Sequence, residues 1–182
     1  NPTGAGDAAV AAAAVLLAAG CGTPSYDVEV FLSPKVREKY HINPSLEVDI
    51  AGINHATEEH FQTIEVNDYF SPENAFRSGN EHATLHFSEE NAAPKCLASS
   101  DAIWKKFAAG SADKLCLLVN LPPSGGKKQK NDPRKIVIPL EDGIFKSSTL
   151  YFEITPSGLI PLKSRPEYAA SEIRKENTEK KP

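Results

Sequence analysis

Short segments that alternate apolar and polar residues, or are apolar throughout, are the feature that most constrains the fold of this chain. Residues 27–32 are an example, with Val28, Val30 and Leu32 at every second position. A two-residue period places such side chains on one face of a β-strand. Residues 115–119 are apolar at every position, which predicts a central strand covered on both faces. The segments are residues 27–32, 46–50, 82–87, 115–119, 136–138, 150–154 and 159–160.

About seven strands with few helical segments between them predict a mainly β chain, folded as an antiparallel β-sandwich with a few short helical insertions. The sandwich domain is predicted to span residues 27–162, and residues 34–44 within it are predicted to form a polar connection. Residues 163–182 are strongly charged, which predicts a flexible tail. The predicted helices are residues 57–64, 71–79 and 101–109.

Composition and motifs argue against several classes of activity. A net charge of −4 speaks against nucleic acid as the main partner, and no apolar run reaches the roughly 18 residues of a membrane-spanning helix. His82 and His86 share one strand face but lie roughly 13 Å apart. His55 and His60 lack the i, i+4 spacing of a zinc-binding helix. The sequence therefore predicts no metal, no cofactor and no catalytic motif in residues 27–162.

Cys21 is the first of three cysteines and follows an apolar run at residues 8–19, with Gly20 between the run and the cysteine. The junction reads Leu-Leu-Ala-Ala-Gly-Cys and resembles the cleavage box of bacterial lipoprotein signal peptides, in which the cysteine is lipidated and the preceding peptide is removed. The resemblance implies a signal peptide at residues 1–20 and a lipidated cysteine with a spacer at residues 21–26. It also implies a bilayer anchor on the periplasmic side of a bacterial membrane, with the outer membrane expected. An Ala-rich helix ending in a buried cysteine is the structural alternative.

Two further cysteines, Cys96 and Cys116, belong to the folded domain. In an oxidising periplasm they could form a disulfide, which would close a loop of roughly 20 residues and stabilise the fold by about 3 kcal/mol. Two separate thiols are the alternative, because Cys116 lies inside an apolar run, where a free cysteine behaves as a small apolar side chain. The sequence leaves both arrangements open.

A second motif, Gly-Ala-Gly-Asp, occurs near the start of the sequence. It resembles the motif of the ribokinase-like (PfkB) carbohydrate kinases. The resemblance implies an anion hole made by the backbone amides of Gly4, Ala5 and Gly6 at a helix N-terminus, and a catalytic base at Asp7. Because the match covers only residues 1–20, the alternative function is the C-terminal fragment of an ATP-dependent sugar kinase fused to an unrelated domain.

A basic loop lies between two apolar strands in the second half of the chain. Such a cluster can attract an acidic partner surface or anionic lipid head groups. An ordinary hairpin loop, whose lysines discourage aggregation at the sheet edge, is the alternative. The candidate partner-binding residues are Lys127, Lys128, Lys130, Arg134 and Lys135.

The Cys21 junction, the number of strands and the placement of the helices together resemble the outer-membrane lipoprotein of the type VI secretion system. Members of that family are acylated at the first mature cysteine, fold as a transthyretin-like sandwich with added helices, and recruit the trans-envelope complex through surface loops. The resemblance implies a non-catalytic scaffold or adaptor of the cell envelope. Its expected partners are the lipid bilayer and an envelope protein.

Overall fold

The computed structural model describes residues 23–122, 131–140 and 148–169. These residues form eight β-strands and five short α-helices. The strands are β1 (Asp27–Leu32), β2 (Leu46–Ile53), β3 (His82–Phe87), β4 (Lys95–Leu97), β5 (Lys114–Val119), β6 (Lys135–Pro139), β7 (Thr149–Thr155) and β8 (Gly158–Leu162). The helices are α1 (Pro34–Tyr40), α2 (His55–Thr63), α3 (Val66–Tyr69), α4 (Ala75–Gly79) and α5 (Ile103–Ala109).

The strands form two four-stranded sheets that pack face to face. Sheet A has the strand order β4-β1-β7-β8, and sheet B has the order β3-β2-β5-β6. The paired strands run antiparallel, apart from β1 and β7, which run parallel. The predicted sandwich of mainly antiparallel strands with short helical insertions is confirmed. The additional strand is β4, which has only three residues.

The main core lies between the two sheets and is built by alternate residues of the strands. Ile50 of β2 and Leu117 of β5 are fully buried in it, opposite Phe152 of sheet A. Helix α5 closes one end of this core with Phe107. Gly52 permits that contact, because a Cβ atom there would lie 2.6 Å from the Phe107 ring.

A second apolar cluster covers the outer face of sheet B. Helices α2, α3 and α4 form one excursion of the chain between β2 and β3, and they bring Phe61 and Tyr69 onto this face. Cys116 and Leu118 of β5 are fully buried beneath them. The prediction that residues 115–119 form a strand covered on both faces is therefore confirmed.

Two helices show how local chemistry sets the element boundaries. Helix α2 begins after Asn54, whose side chain accepts hydrogen bonds from the amides of Ala56 and Thr57 in a capping box, so the helix starts two residues before its predicted start. Helix α1 begins at Pro34, a residue suited to the first helical position. The prediction of a polar connection at residues 34–44 is corrected by this helix.

The strand directions give the sandwich two distinct ends. We call the end at which the chain enters β1, beside α5, the proximal end, and the opposite end the distal end. At the proximal end the Thr23 hydroxyl donates a hydrogen bond to the carbonyl of Ala112 (2.8 Å). Strands β1, β3, β5 and β7 all run away from this end. The distal end therefore holds α1 and the β3–β4, β5–β6 and β7–β8 connections. Lys39 of α1 donates to the carbonyl of Pro156 there (3.0 Å).

Residues 163–169 pack against the outer face of sheet A, which corrects the predicted start of the flexible tail. The Arg165 guanidinium makes a bidentate interaction with Glu29 of β1, at 2.9 and 3.0 Å. Ala169 is fully buried. The sandwich domain thus extends beyond the predicted boundary, and residues 170–182 lie outside the described residues.

Candidate functional site

An open groove lies at the distal end, between α1 and the β3–β4 connection. This distal groove encloses about 490 Å³. Helix α1 places Arg37 and Glu38 along it, and His41 and Asn43 follow at the end of the helix. The chain turns sharply there because His41 adopts a left-handed conformation, with a φ of 63°. Ala92 of the β3–β4 connection lines the other side.

The charges of the distal groove are only loosely held. Arg37 lies 3.7 Å from Glu89, and both side chains are at least half exposed. The Glu89 carboxylate also accepts a hydrogen bond from the amide of Asn43. Ile42, next to the lining residues, is an exposed large apolar side chain. An exposed ion pair of this kind contributes little to stability, so its charges are available to a partner surface.

Arg134, predicted as part of the basic partner-binding loop, is instead buried within the fold. Its guanidinium interacts with the Asp132 carboxylate, at 2.7 Å from Nη2. The Nη1 group donates to the side chain of Asn67 (2.7 Å) and to the carbonyl of Leu121 (2.9 Å). Arg134 therefore ties the end of the loop to α3.

Lys135 is also used internally. Its ammonium donates to the carbonyls of Gln62 (2.8 Å) and Ile64 (3.0 Å), where α2 ends. Burial lowers the pKa of Lys135, and the helix carbonyls that it contacts favour a cation at this position. The prediction that Arg134 and Lys135 face a partner is corrected, because both anchor the loop to the sandwich. The other predicted residues of that loop, Lys127, Lys128 and Lys130, lie outside the described residues.

Cys96 and Cys116 lie on the outer faces of different sheets and are free thiols. Of the two arrangements that the sequence leaves open, a disulfide or two separate thiols, the structure shows the second. Cys96 is exposed on β4, whereas Cys116 is buried under the helices of sheet B. Burial raises the pKa of the Cys116 thiol to about 12, so this thiol is protonated at neutral pH.

A buried carboxylate, Asp49, is the centre of a polar cluster that the sequence did not reveal. It lies on the outer face of β2 and is fully buried. Tyr69 of α3 donates to it at 3.0 Å, and Thr84 of β3 donates at 2.7 Å. Arg77 of α4 donates from Nε at 2.7 Å and from Nη2 at 3.2 Å. We call these four residues the Asp49 cluster.

The Asp49 cluster is built to hold helices rather than to react. Burial, together with the nearby Asp49 charge, raises the pKa of Tyr69 well above its usual range, and the hydrogen bond to Asp49 raises the pKa of Arg77. Four donated hydrogen bonds occupy the two carboxylate oxygens. One sequence feature could have indicated that Asp49 is buried: Ala51 and Ile53, which share the outer face of β2 with Asp49, are apolar.

Two properties of the described residues, 23–122, 131–140 and 148–169, bear on function. No group of three or more His, Cys, Asp or Glu side chains in them could hold a metal ion. No helix in them is long and apolar enough to cross a membrane. The predicted sites in residues 1–22 lie outside the described residues. They are the kinase-like residues Gly4, Ala5, Gly6 and Asp7, and the lipidation site Cys21.

The sandwich is similar to solved structures of secretion proteins. The structure of the C-terminal domain of the type VI secretion protein TssM from EAEC matches with a TM-score of 0.52 and 13% identity, covering 76% of this chain and 100% of that chain. The fold is shared with type VI secretion proteins. A structure described as a type VI membrane complex matches with a TM-score of 0.50 and 12% identity, covering 76% of this chain and 98% of that one.

A further match is Lip from Serratia marcescens, described as a membrane-bound component of the type VI secretion system. It has a TM-score of 0.48 and 13% identity, and the match covers 79% of this chain and 99% of Lip. No family model and no curated protein sequence matches the chain. The expected relation to type VI secretion proteins is confirmed at the level of the fold by the matches to the TssM domain and to the membrane complex.

Proposed function

We propose that this chain is a lipoprotein, anchored through acylated Cys21 on the periplasmic side of a bacterial outer membrane, that acts as a non-catalytic adaptor in a secretion complex. The observation that carries the proposal is the fold shared with type VI secretion proteins, including a type VI membrane complex. The lipoprotein-like junction before Cys21 supports the same function from the sequence.

The position of Cys21 in the chain suits a tether at the proximal end. Cys21 precedes Thr23 by two positions, so the chain between their Cα atoms spans at most about 7 Å when fully extended. A lipid on Cys21 would therefore hold the proximal end, with Thr23 and α5, against the bilayer surface.

The opposite end then projects into the periplasm. Strand β1 has six residues, which corresponds to a length of about 20 Å. The distal groove would lie at least that far from the membrane. This separation of tether and groove is what an adaptor requires, and it makes the distal end the proposed docking surface for an envelope protein.

The anchor is tested by expressing the chain with its upstream sequence in a bacterial host and measuring the mass of the product from membranes. We expect cleavage before Cys21 and the added mass of a diacylglycerol on the new N-terminus. The Cys21→Ser variant should lose both the lipid and the membrane association. A soluble, uncleaved chain would contradict the proposal, and ATP-dependent phosphorylation of a sugar by that chain would support the kinase alternative.

The docking surface is tested by reversing charges at the two ends of the sandwich. Arg37→Glu, in the distal groove, should reduce cross-linking to an envelope protein in intact membranes at least about tenfold without lowering the melting temperature. Lys106→Glu is the matched control, because Lys106 forms a similarly exposed ion pair with Glu81 at the proximal end. The triple reversal of Lys127, Lys128 and Lys130 tests the basic residues that the sequence predicts to bind a partner. Equal cross-linking by all these variants would exclude the distal end.

A further inference from the structure

The sandwich has four edge strands, and they differ in how many backbone groups they leave unpaired. The edges are β4 and β8 in sheet A and β3 and β6 in sheet B. An edge strand presents a row of N–H and C=O groups that can pair with another chain, and natural sheets block such rows with short strands or proline. The register of each pair shows which residues of an edge strand point their backbone N–H and C=O groups away from the sheet. We call these the outward residues.

Strand β3 is the open edge. The amide of Asn120 donates a hydrogen bond to the carbonyl of Glu47, so the backbone groups of Glu47 point toward β5. Successive residues of β2 alternate between its two neighbouring strands, and the backbone groups that point toward β3 pair with those of Ala83 and Leu85. The backbone groups of the intervening residues therefore point away from the sheet. Within the described part of the chain, these groups form no hydrogen bond. The outward residues are His82, Thr84 and His86.

The other three edges are short or blocked. Strand β4 presents only Cys96 outward, because its two other residues bond to β1. On β6 the outward amide of Lys135 already donates to the carbonyl of Asp132 (3.1 Å), and Pro139 has no N–H to donate. This leaves Val137 as the one outward residue with an unpaired N–H among the described residues of this strand. On β8 the outward amide of Leu159 already donates to the carbonyl of Pro133 (2.9 Å), and the next outward residue is Pro161.

An apolar rim accompanies the open edge. Ala83 and Leu85 face the main core between the sheets but are only partly buried in it. A strand added beside β3 would therefore find hydrogen-bonding partners at every second residue of β3, and its inward side chains would cover this rim. The opposite face carries Thr84 and the exposed His86, which suit polar neighbours.

We propose that β3 is a strand-addition site for an extended segment of another protein, five or six residues long, in which apolar and polar residues alternate. The main-chain hydrogen bonds would supply affinity, and the apolar residues over Ala83 and Leu85 would set the register. This surface is separate from the distal groove.

A second copy of this chain is the competing occupant, and the proposed anchor argues against it. The outward residues of two β3 strands face each other directly in an antiparallel pair centred on Thr84. That pair would turn the second sandwich upside down, so that the two proximal ends would point in opposite directions. Two chains tethered through Cys21 to one membrane cannot adopt this arrangement easily. Self-pairing is disfavoured on the basis of the proposed function, whereas the unpaired backbone groups of β3 do not depend on the anchor.

The test uses the full 182-residue chain with Cys21→Ser and a labelled peptide, Lys-Val-Thr-Val-Thr-Val-Lys. Two further peptides carry N-methyl groups, either on the valines or on the threonines. Because successive amides of a strand point to opposite edges, one methylated peptide should lose binding and the other should keep it. We expect saturable binding with a Kd below about 1 mM, and new amide protection at Thr84 and His86 but not at Val137 of the blocked edge.

The variant His86→Pro removes one outward N–H from an edge position that tolerates proline. It should weaken binding of the peptide at least about tenfold, whereas the matched His86→Ala should stay within about twofold of the parent chain. A far-ultraviolet circular dichroism spectrum of each variant checks that it is folded.

Three results would overturn the proposal. They are the absence of saturable binding, equal binding of both methylated peptides, and protection of the same amides that rises with protein concentration in the absence of peptide. The last result would identify a second copy as the occupant. Because Cys21 is replaced in all of these measurements, their failure leaves the lipid anchor untouched, and failure of the anchor leaves the edge measurement valid.

Discussion

The outer faces of the two sheets are covered in different ways. On sheet B, three helices inserted between β2 and β3 lie over the strands and bury Phe61, Cys116 and Leu118. The Asp49 cluster fastens α3 and α4 to β2 and β3 beneath this cover. The cover of sheet B is thus a small core of its own, with a polar centre.

On sheet A, the part of the chain that the structure describes returns to the outer face only with the short segment 163–169. Arg165 pairs with Glu29 and lies over the ring of Phe31, 5.9 Å from its centre. Cys96 remains exposed beside this segment. Phe31 and Ala169 are fully buried on this face, so sheet A is covered by a partly exposed charge pair over a small apolar contact, and sheet B by an apolar helical layer.

The difference indicates which side of the molecule is rigid. Buried, fully hydrogen-bonded groups are costly to separate, whereas an exposed ion pair is worth about 0–1 kcal/mol. Sheet B, with β3 and its open edge, should therefore open only when the whole domain unfolds. The cover of sheet A should open locally at a much lower free energy.

The largest expected effect is that of Asp49→Ala. It leaves the buried Tyr69 hydroxyl without an acceptor and the Arg77 guanidinium with Glu47 alone. We expect the free energy of unfolding to fall by about 3–5 kcal/mol, measured by urea denaturation. Glu29→Ala on the opposite face is the control and should cost less than about 1 kcal/mol. Equal losses for the two variants would remove the contrast between the faces.

Thiol labelling of the Cys21→Ser chain measures the same contrast without disturbing either face. The thiolate is the reactive form, so its fraction at pH 8 falls as the pKa rises. Burial raises the pKa of Cys116 to about 12, and burial with the charges of Asp27 and Glu29 raises that of the more accessible Cys96.

Cys96 should therefore react at least about a hundredfold faster than Cys116 with a thiol reagent, followed by peptide mass spectrometry. Cys116→Ser should leave the fast phase unchanged. Comparable rates at the two thiols would mean that the helices do not seal sheet B.

The main sandwich could be predicted from the sequence because alternation is a local signal. Residues 115–119, apolar at every position, correctly indicated a strand covered on both faces. Strand β4 was missed because it has three residues, of which only Leu97 is buried in the core. Helix α1 was missed because it is only about two turns long and most of its residues are polar, so the sequence shows no apolar stripe there.

The polar contacts could not be predicted, because they join residues far apart in the chain. Asp49 reads as an ordinary outward residue of an alternating strand, and only the return of α3 and α4 buries it. Arg134 and Lys135 read as part of an exposed basic loop for the same reason. Their partners, Asn67 and Gln62, belong to the helical excursion that covers sheet B.

The smallest expected effect is that of Arg165→Ala on sheet A. The Arg165 side chain is 40% exposed, and its bidentate pair with Glu29 competes with water and with dissolved salt. The variant should lose less than about 1 kcal/mol of unfolding free energy in low salt, and less still in 1 M salt.

Arg165→Lys keeps the charge but cannot make the planar bidentate contact, so it should fall between the parent and the alanine variant. The matched change on sheet B is Arg77→Ala, which should cost several times more and respond little to salt, because Asp49 beneath it is fully buried. A large, salt-independent loss at Arg165 would show that segment 163–169 is as integral to the fold as the helical layer, and both faces would then be equally rigid.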